Sequence, residues 1–296
     1  MPIALGIIHG IDYALSNWLI GVTVFCCFIL TAGGQESQAL LADWPNRIRR
    51  LIGFTFLSSL TWTLFTSSDM AQSWSPSDLW LALTHTNFGH LWCWRLGLLV
   101  VLFLVAPRLN RSRALTLGFL VLVLLLPVFS ALSGHAGAQK QYVFFRVLID
   151  WGHSLAVGVW SGGLWTLYIW LGKRLSIKQI LPEISYRVVK RFSHFAMVST
   201  AIITLSGLLM AYLAGVSLLH PWTTSYGLLI VGKVFFFAAA LLVAAMNQFI
   251  HLRMWAPERE PAFAMAIWRE VRMELVFLLF VFVLAGFLAR TSMPTG

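Results

Sequence analysis

Eight stretches of nearly unbroken apolar sequence punctuate the chain, near residues 10–31, 49–68, 89–106, 114–133, 144–170, 192–214, 227–250 and 273–290. Each approaches the roughly 20 residues that a helix needs to cross the hydrocarbon of a bilayer. Within lipid a segment must satisfy its own backbone hydrogen bonds, and a helix does so without a partner. The pattern therefore predicts an all-α membrane protein of eight transmembrane helices.

Composition reinforces this picture. Hydrophobic residues make up 59% of the 296 and charged residues only 11%, with a mean hydropathy of +0.80. A water-soluble fold could not cover that much apolar surface. The net charge of +10 sits in short loops between apolar segments and not along a stripe of a soluble module, which argues against a nucleic-acid partner. Cys26 and Cys27 fall inside an apolar run and read as reduced core residues. Residues 1–12 carry no Lys or Arg, so no basic leader region, and hence no cleavable signal, is expected.

Loop charges set an orientation. Arg47, Arg49 and Arg50 occupy the first loop, and Arg108, Arg111 and Arg113 the third. Lys173, Arg174, Lys178, Arg187, Lys190 and Arg191 occupy the fifth, and Arg253, Arg259, Arg269 and Arg272 the seventh. The second and sixth loops carry no Lys or Arg, and the fourth little beyond Lys140. The positive-inside rule then makes the odd loops cytoplasmic and both termini periplasmic, in a bacterial inner membrane.

Rare polar residues recur at an offset of 138. Ile11-Asp12-Tyr13 matches Ile149-Asp150-Trp151, Thr66 and Ser68 match Thr204 and Ser206, and Arg95 matches Lys233. Thr86-Asn87-Phe88-Gly89 likewise matches Thr224-Ser225-Tyr226-Gly227. This register predicts two parallel four-helix repeats, 1–133 and 134–296, about an axis along the membrane normal.

Ionisable residues inside a membrane are costly and are functional candidates for that reason. Asp150 and His153 are spaced i,i+3 in the fifth apolar stretch, and His9 and Asp12 repeat that spacing in the first. His135 lies where the fourth stretch emerges on the same side. Imidazole suits copper in either oxidation state, while carboxylate favours Cu(II). His135, His153, Asp150, His9 and Asp12 thus form a candidate metal set. The competing reading makes Asp150–Lys233 and Asp12–Arg95 buried structural ion pairs. His85, His90 and Cys93 form a second possible set, within an interfacial aromatic belt that reads mainly as structural. No Walker A motif, CxxC pair or ordered catalytic triad occurs, so neither an ATP-driven pump nor an enzyme is expected.

Several segments together resemble the CopD family of copper resistance and copper transport proteins, called PcoD in plasmid-borne systems. They are Gly134-His135-Ala136, His153 followed by Trp160-Ser161-Gly162-Gly163-Leu164, Arg191-Phe192-Ser193, Ser206-Gly207, Tyr226-Gly227-Leu228-Leu229 with Lys233, and Asn247. The Thr-x-Phe-Gly-x-x-Trp-x-Trp run from Thr86 to Trp94 also fits. The resemblance implies movement of copper ions from periplasm to cytoplasm, alongside a periplasmic carrier of the CopC type. Lys233, Arg95, Tyr226 and Trp160 are expected to support the site. Some relatives carry a second His at the position of Asp150, so the site here would be harder than theirs. The alternative function is a haem b-binding electron-transfer protein, which polytopic bundles with facing histidines can form.

Overall fold

The computed structural model describes residues 2–33, 43–134, 137, 142–177, 182–217, 219–251 and 260–292. It is all-helical, with no strand among the described residues. Helix α1 (Pro2–Val24) runs on through a π turn, Phe25–Ile29. Then come α2 (Trp44–Ala71), the short α3 (Pro76–His85), α4 (Asn87–Val105) and α5 (Arg113–Ser133). Helices α6 (Val143–Val157) and α7 (Gly163–Ile177) are joined through a π turn at Gly158–Gly162. The chain ends with α8 (Pro182–Leu213), α9 (Ser225–Met246), closed by a π turn at Asn247–His251, and α10 (Glu260–Leu288). The end of the bundle where α1 starts and α10 stops is called the terminal end, and the opposite one the basic end.

Among the described residues, seven helical segments are long and apolar enough to cross a membrane: Ile3–Ile29, Asn87–Leu109, Arg113–Ser133, Val143–Ser176, Glu183–Leu213, Ser225–Ile250 and Ala262–Leu288. The remaining long helix, α2, has 28 residues but is too polar to join them by composition. Its polarity points inward. Thr55, Ser59, Thr63, Thr66, Ser67 and Ser68 are buried, while Phe54 and Leu57 are exposed. Two of those hydroxyls are satisfied within the helix, Thr55 donating to the Leu51 carbonyl and Thr63 to that of Ser59. A helix whose outer face is apolar and whose inner face is hydroxylated fits a bundle interior better than its average hydropathy suggests.

Helix α1 is the spine. Its Leu19, Ile20, Val22 and Val24 enter one core with α2, α4 and α5, while Phe25, Ile29 and Leu30 enter another with α6, α7, α8 and α10. Glycines make these crossings possible. A Cβ on Gly21 would lie 2.3 Å from the backbone of Gly162, and one on Gly286 would lie 2.0 Å from the Gly6 carbonyl oxygen. A Cβ on Gly10 would meet the Phe282 carbonyl oxygen at 2.9 Å. Lipid offers helices no hydrophobic drive to associate, so this close backbone approach is a main source of adhesion.

Helix starts coincide at the 138-residue offset: Trp44 with Pro182, and Asn87 with Ser225. The caps match as well. Thr86 accepts from the Gly89 amide at 2.9 Å, and Thr224 from the Gly227 amide at 3.0 Å. Both glycines are pressed against the preceding helical segment, where a Cβ would lie 2.3 Å from the Leu83 carbonyl oxygen of α3 or 1.8 Å from that of Pro221 in a 3-10 turn. Around these caps the terminal end exposes Trp74, Trp80, Trp94, Trp222 and Tyr212, aromatic rings suited to a membrane–water interface.

Gly21→Val should lower the thermal stability of the detergent-solubilised protein by an amount expected of overpacking, about 1–3 kcal/mol or more. Gly97→Ala, where a Cβ meets nothing within 4 Å, should leave the melting temperature unchanged. Equal melting temperatures for the two variants would remove the crossing from the account of stability.

Candidate functional site

Helix α6 sets the site. Its i,i+3 spacing puts Asp150 and His153 on one face, and that face lines a cavity of about 720 Å³ near the terminal end. The other walls come from α1 through His9 and Tyr13, α8 through Thr204 and Gly207, α9 through Tyr226 and Lys233, and α10 through Phe282. Most of the remaining lining is aliphatic or aromatic. Trp160, in the π turn beyond α6, is buried and meets Phe237 of α9 edge-on, with ring centroids 5.5 Å apart. Tyr13 and Ser154 close the seam between α1 and α6 through a hydroxyl pair at 3.1 Å.

His153 is oriented by α8. Its Nδ1 lies 2.9 Å from Ser206 Oγ, and that hydroxyl donates to the Ile202 carbonyl. With its proton committed there, Ser206 can only accept, so Nδ1 carries the imidazole proton and Nε2 keeps its lone pair. Such an outer hydrogen bond fixes the tautomer of a metal-ligating histidine. His9 stacks on Trp62 with ring centroids 4.3 Å apart, and its Nδ1 is buried without a partner among the described residues.

Asp150 and Lys233 both line the cavity but form no direct ion pair among the described residues. Arg146 joins them, one turn before Asp150 on α6, and donates to the Leu213 carbonyl at 3.2 Å. The corresponding charges at the smaller residue numbers behave otherwise. Asp12 and Arg95 are each 1% exposed and make an ion pair at 3.2 Å. Ser59 donates to the other Asp12 oxygen, and Arg95 also reaches Ser16 Oγ at 2.6 Å and the Leu126 carbonyl at 2.9 Å. Its guanidinium lies over Trp92, 4.9 Å from the ring centroid. This pair is sealed into the bundle, away from the cavity.

Of the residues singled out from sequence, the fold thus gathers His9, Asp150, His153, Lys233, Tyr226 and Trp160 around one cavity, and ties Asp12 to Arg95 outside it. His135 lies outside the described residues. No three His, Cys, Asp or Glu among the described residues converge as a ready metal cage. His85 and His90 are turned instead to Thr84, through its hydroxyl at 2.8 Å and its carbonyl at 2.7 Å. Arg146 and the orienting role of Ser206 were missed from sequence. Arg146 was detectable as the residue four before Asp150, whereas Ser206 depends on how α8 meets α6.

The fold and the cavity define a polytopic membrane protein with titratable and imidazole groups buried among its helices. Comparison with known proteins narrows this class. The family model for the N-terminal domain of copper resistance protein D-like proteins matches residues 2–142, and that for copper resistance protein D matches residues 186–288. The chain belongs to the copper resistance protein D family. It is 25% identical to copper resistance protein D of Pseudomonas syringae pv. tomato over 268 residues, covering 85% of this chain and 80% of the relative. It is 24% identical to the inner membrane protein YebZ of Escherichia coli, covering 82% of this chain and 87% of the relative. Copper transport protein CutJ of Bacillus subtilis is 26% identical over 181 residues, 60% of this chain, which spans only 33% of that relative's length. No solved structure matches the chain.

Arg95→Met should strand the Asp12 carboxylate in the bundle and cost about 3–5 kcal/mol. Pairing it with Asp12→Asn should recover much of that loss, since two neutral groups leave no charge unpaired. The measurements are membrane abundance and melting temperature of the two single variants and the double variant. A double variant no better than Arg95→Met alone would show that the pair is not what holds this region.

Proposed function

We propose that this protein admits copper ions from the periplasm into the cavity and passes them across the bacterial inner membrane. The observation that carries the reading is that His9, Asp150 and His153, from two helices far apart in sequence, line one cavity in a chain of the copper resistance protein D family. The copper ion is the cargo. His153 offers Nε2, His9 a second imidazole and Asp150 a carboxylate, with His135 the further ligand that the family resemblance implies. Asp12 is assigned to the fold through its pair with Arg95. A periplasmic carrier of the CopC type is the donor that the same resemblance implies.

Charge in the cavity needs an account, because Lys233 and Arg146 oppose an incoming cation. Asp150 balances one of them while the site is empty. Ligation of copper by Asp150 would engage the carboxylate that otherwise offsets Lys233 across the cavity, so the lysine acts as a counter-charge with which cargo competes. Eight spans, with α2 crossing alongside the seven apolar helices, and both termini periplasmic complete the reading. The inward-facing hydroxyls of α2 and the alternation of basic loops support it. The matched helix starts and threonine caps support two parallel halves, 1–133 and 134–296.

A second reading has its own support. Two imidazoles, two cations and apolar walls around about 720 Å³ are what a haem b with its propionates would need. The absorption spectrum of the purified protein decides, since haem shows a Soret band and bound copper(I) does not.

His9→Ala/His153→Ala should weaken copper binding by tenfold or more while the melting temperature stays within a few degrees. Unchanged metal stoichiometry and affinity, measured on the same preparation as the spectrum, would sink the proposed site. Lys233→Met should change copper uptake per inserted molecule in proteoliposomes more than it changes abundance. Normal uptake per molecule with reduced abundance would assign Lys233 to the fold alone.

A further inference from the structure

Deeper in the bundle, a carboxyl sits where no motif pointed. Glu274 of α10 is 2% exposed and lies in the interior of the apolar segment Ala262–Leu288. It makes no ion pair among the described residues. Its recorded hydrogen bond comes from Asn247, whose Nδ2 donates to Glu274 Oε1 at 2.9 Å. Asn247 opens the π turn that closes α9. The other end of the same amide is unmatched, because Asn247 Oδ1 is buried with no partner among the described residues.

These facts agree with one protonation state. A bare carboxylate in the membrane interior without a cation is expensive, and the neutral acid avoids that cost. The acid also explains the orphaned amide oxygen. A proton on Oε2 supplies Asn247 Oδ1 with a donor, while Oε1 goes on accepting from Nδ2, the reciprocal pairing of an acid with an amide. The ionised form keeps only the second bond. Asn247 can therefore hold either state of Glu274, as a proton-exchanging group requires.

Position adds the link to transport. The cavity lining reaches Leu278 on α10 and Leu241 on α9. Leu278 is one turn from Glu274 toward the terminal end, on the same helix face. One turn toward the basic end lies Glu270, and beside Asn247 in the π turn Gln248 accepts from Ser193 of α8. The other ionisable groups on neighbouring elements are placed elsewhere. Lys233 of α9 lines the cavity. Tyr168 of α7 stacks on Trp268, and the Arg174 guanidinium lies over Trp170. Tyr13 of α1 meets α10 at Phe282, two turns from Glu274.

We infer that Glu274, held by Asn247 beneath the cavity floor, is the proton-exchanging group that couples inward cation movement to proton movement in the same direction. It is a neutral acid while the cavity is empty. As the cation moves inward, the Oε2–H bond breaks and the proton leaves toward the basic end by way of Glu270 and water. The carboxylate left behind offsets the charge of the arriving cation, and once the cation has gone a proton from the cavity side restores the Oε2–H bond. The inference rests on the copper transport reading of the cavity.

The test is infrared difference spectroscopy of the full-length protein in liposomes at neutral pH, recorded before and after addition of copper, with equilibrium copper binding measured on the same sample. The expected result is a protonated-carboxyl band that is absent from Glu274→Gln and loses at least half its intensity when copper is added. Glu274→Gln should bind copper within twofold of wild type, yet its uptake should lose its response to an imposed pH gradient, a response expected to be tenfold or greater in wild type. Asn247→Leu should shift the band and weaken the gradient response, which gives a second reading should Glu274→Gln insert poorly. Absence of the band from wild type overturns the inference whatever copper does. A band unmoved by copper that does bind overturns the coupling and leaves the cavity reading standing. Failure of wild type to bind copper overturns both.

Discussion

Close approach of α1 to the helices around it is the constraint from which the rest of this structure follows. A helix that must touch both cores at once has no room for side chains at its crossings, and Gly6, Gly10 and Gly21 supply that absence, answered by Gly162 and Gly286. Backbone against backbone gains dispersion that lipid cannot provide. It also fixes the depth of α1 relative to α6 and α10. His9 and Tyr13 reach the cavity because Gly10 lets α1 lie against α10 at Phe282, and Tyr13 meets Ser154 because Gly21 nests on Gly162.

Given that frame, the bundle treats two similar pairs of charges in opposite ways. Asp12 and Arg95 are enclosed by Ser16, Ser59 and the Leu126 carbonyl, so each polar atom of the pair finds a partner and water has no access. A fully bonded pair of this kind tolerates burial; half of one would not. Asp150 and Lys233 face a cavity instead, and stay apart. An aspartate and an arginine make a sealed ion pair at one place, while an aspartate and a lysine 138 residues further on line a cavity. The difference lies in what surrounds them, hydroxyls in the first case and empty volume in the second.

The path implied by the cavity and Glu274 is consistent with how polar groups are distributed along the bundle axis. Imidazoles and charges with free valence sit near the terminal end, apolar residues from Leu241 and Leu278 close the floor, and a lone buried carboxyl waits below. Membrane transporters commonly keep irregular backbone only where it lines a cavity or a site. Two of the three π turns among the described residues fit that rule, Gly158–Gly162 under the histidine and Asn247–His251 beside the carboxyl, while Phe25–Ile29 packs into the apolar core.

Much of this was legible in the chain itself. Long apolar stretches dictate helices because lipid leaves the backbone no other partner, and seven of those helices read directly from composition. The copper resistance protein D family was legible in the order of short motifs, because the residues that carry them are few enough in apolar sequence for their order to be informative. Helix α2 was harder, since an average over its residues mixes an apolar outer face with a hydroxylated inner one. Asp150 and His153 could be placed on one face by spacing alone, because a single helix determines it. Whether a charge is sealed or open could not be read in this way. That depends on which side chains from other helices surround it, as Ser59 and Leu126 surround Asp12 and Arg95, and on the tautomer that Ser206 imposes on His153 from α8. Nor did any local pattern distinguish Glu274 from an ordinary interfacial acid. Spacing along one helix is a property of sequence; the partners, volume and solvent access of a buried charge come from several helices meeting, and only the tertiary structure decides them.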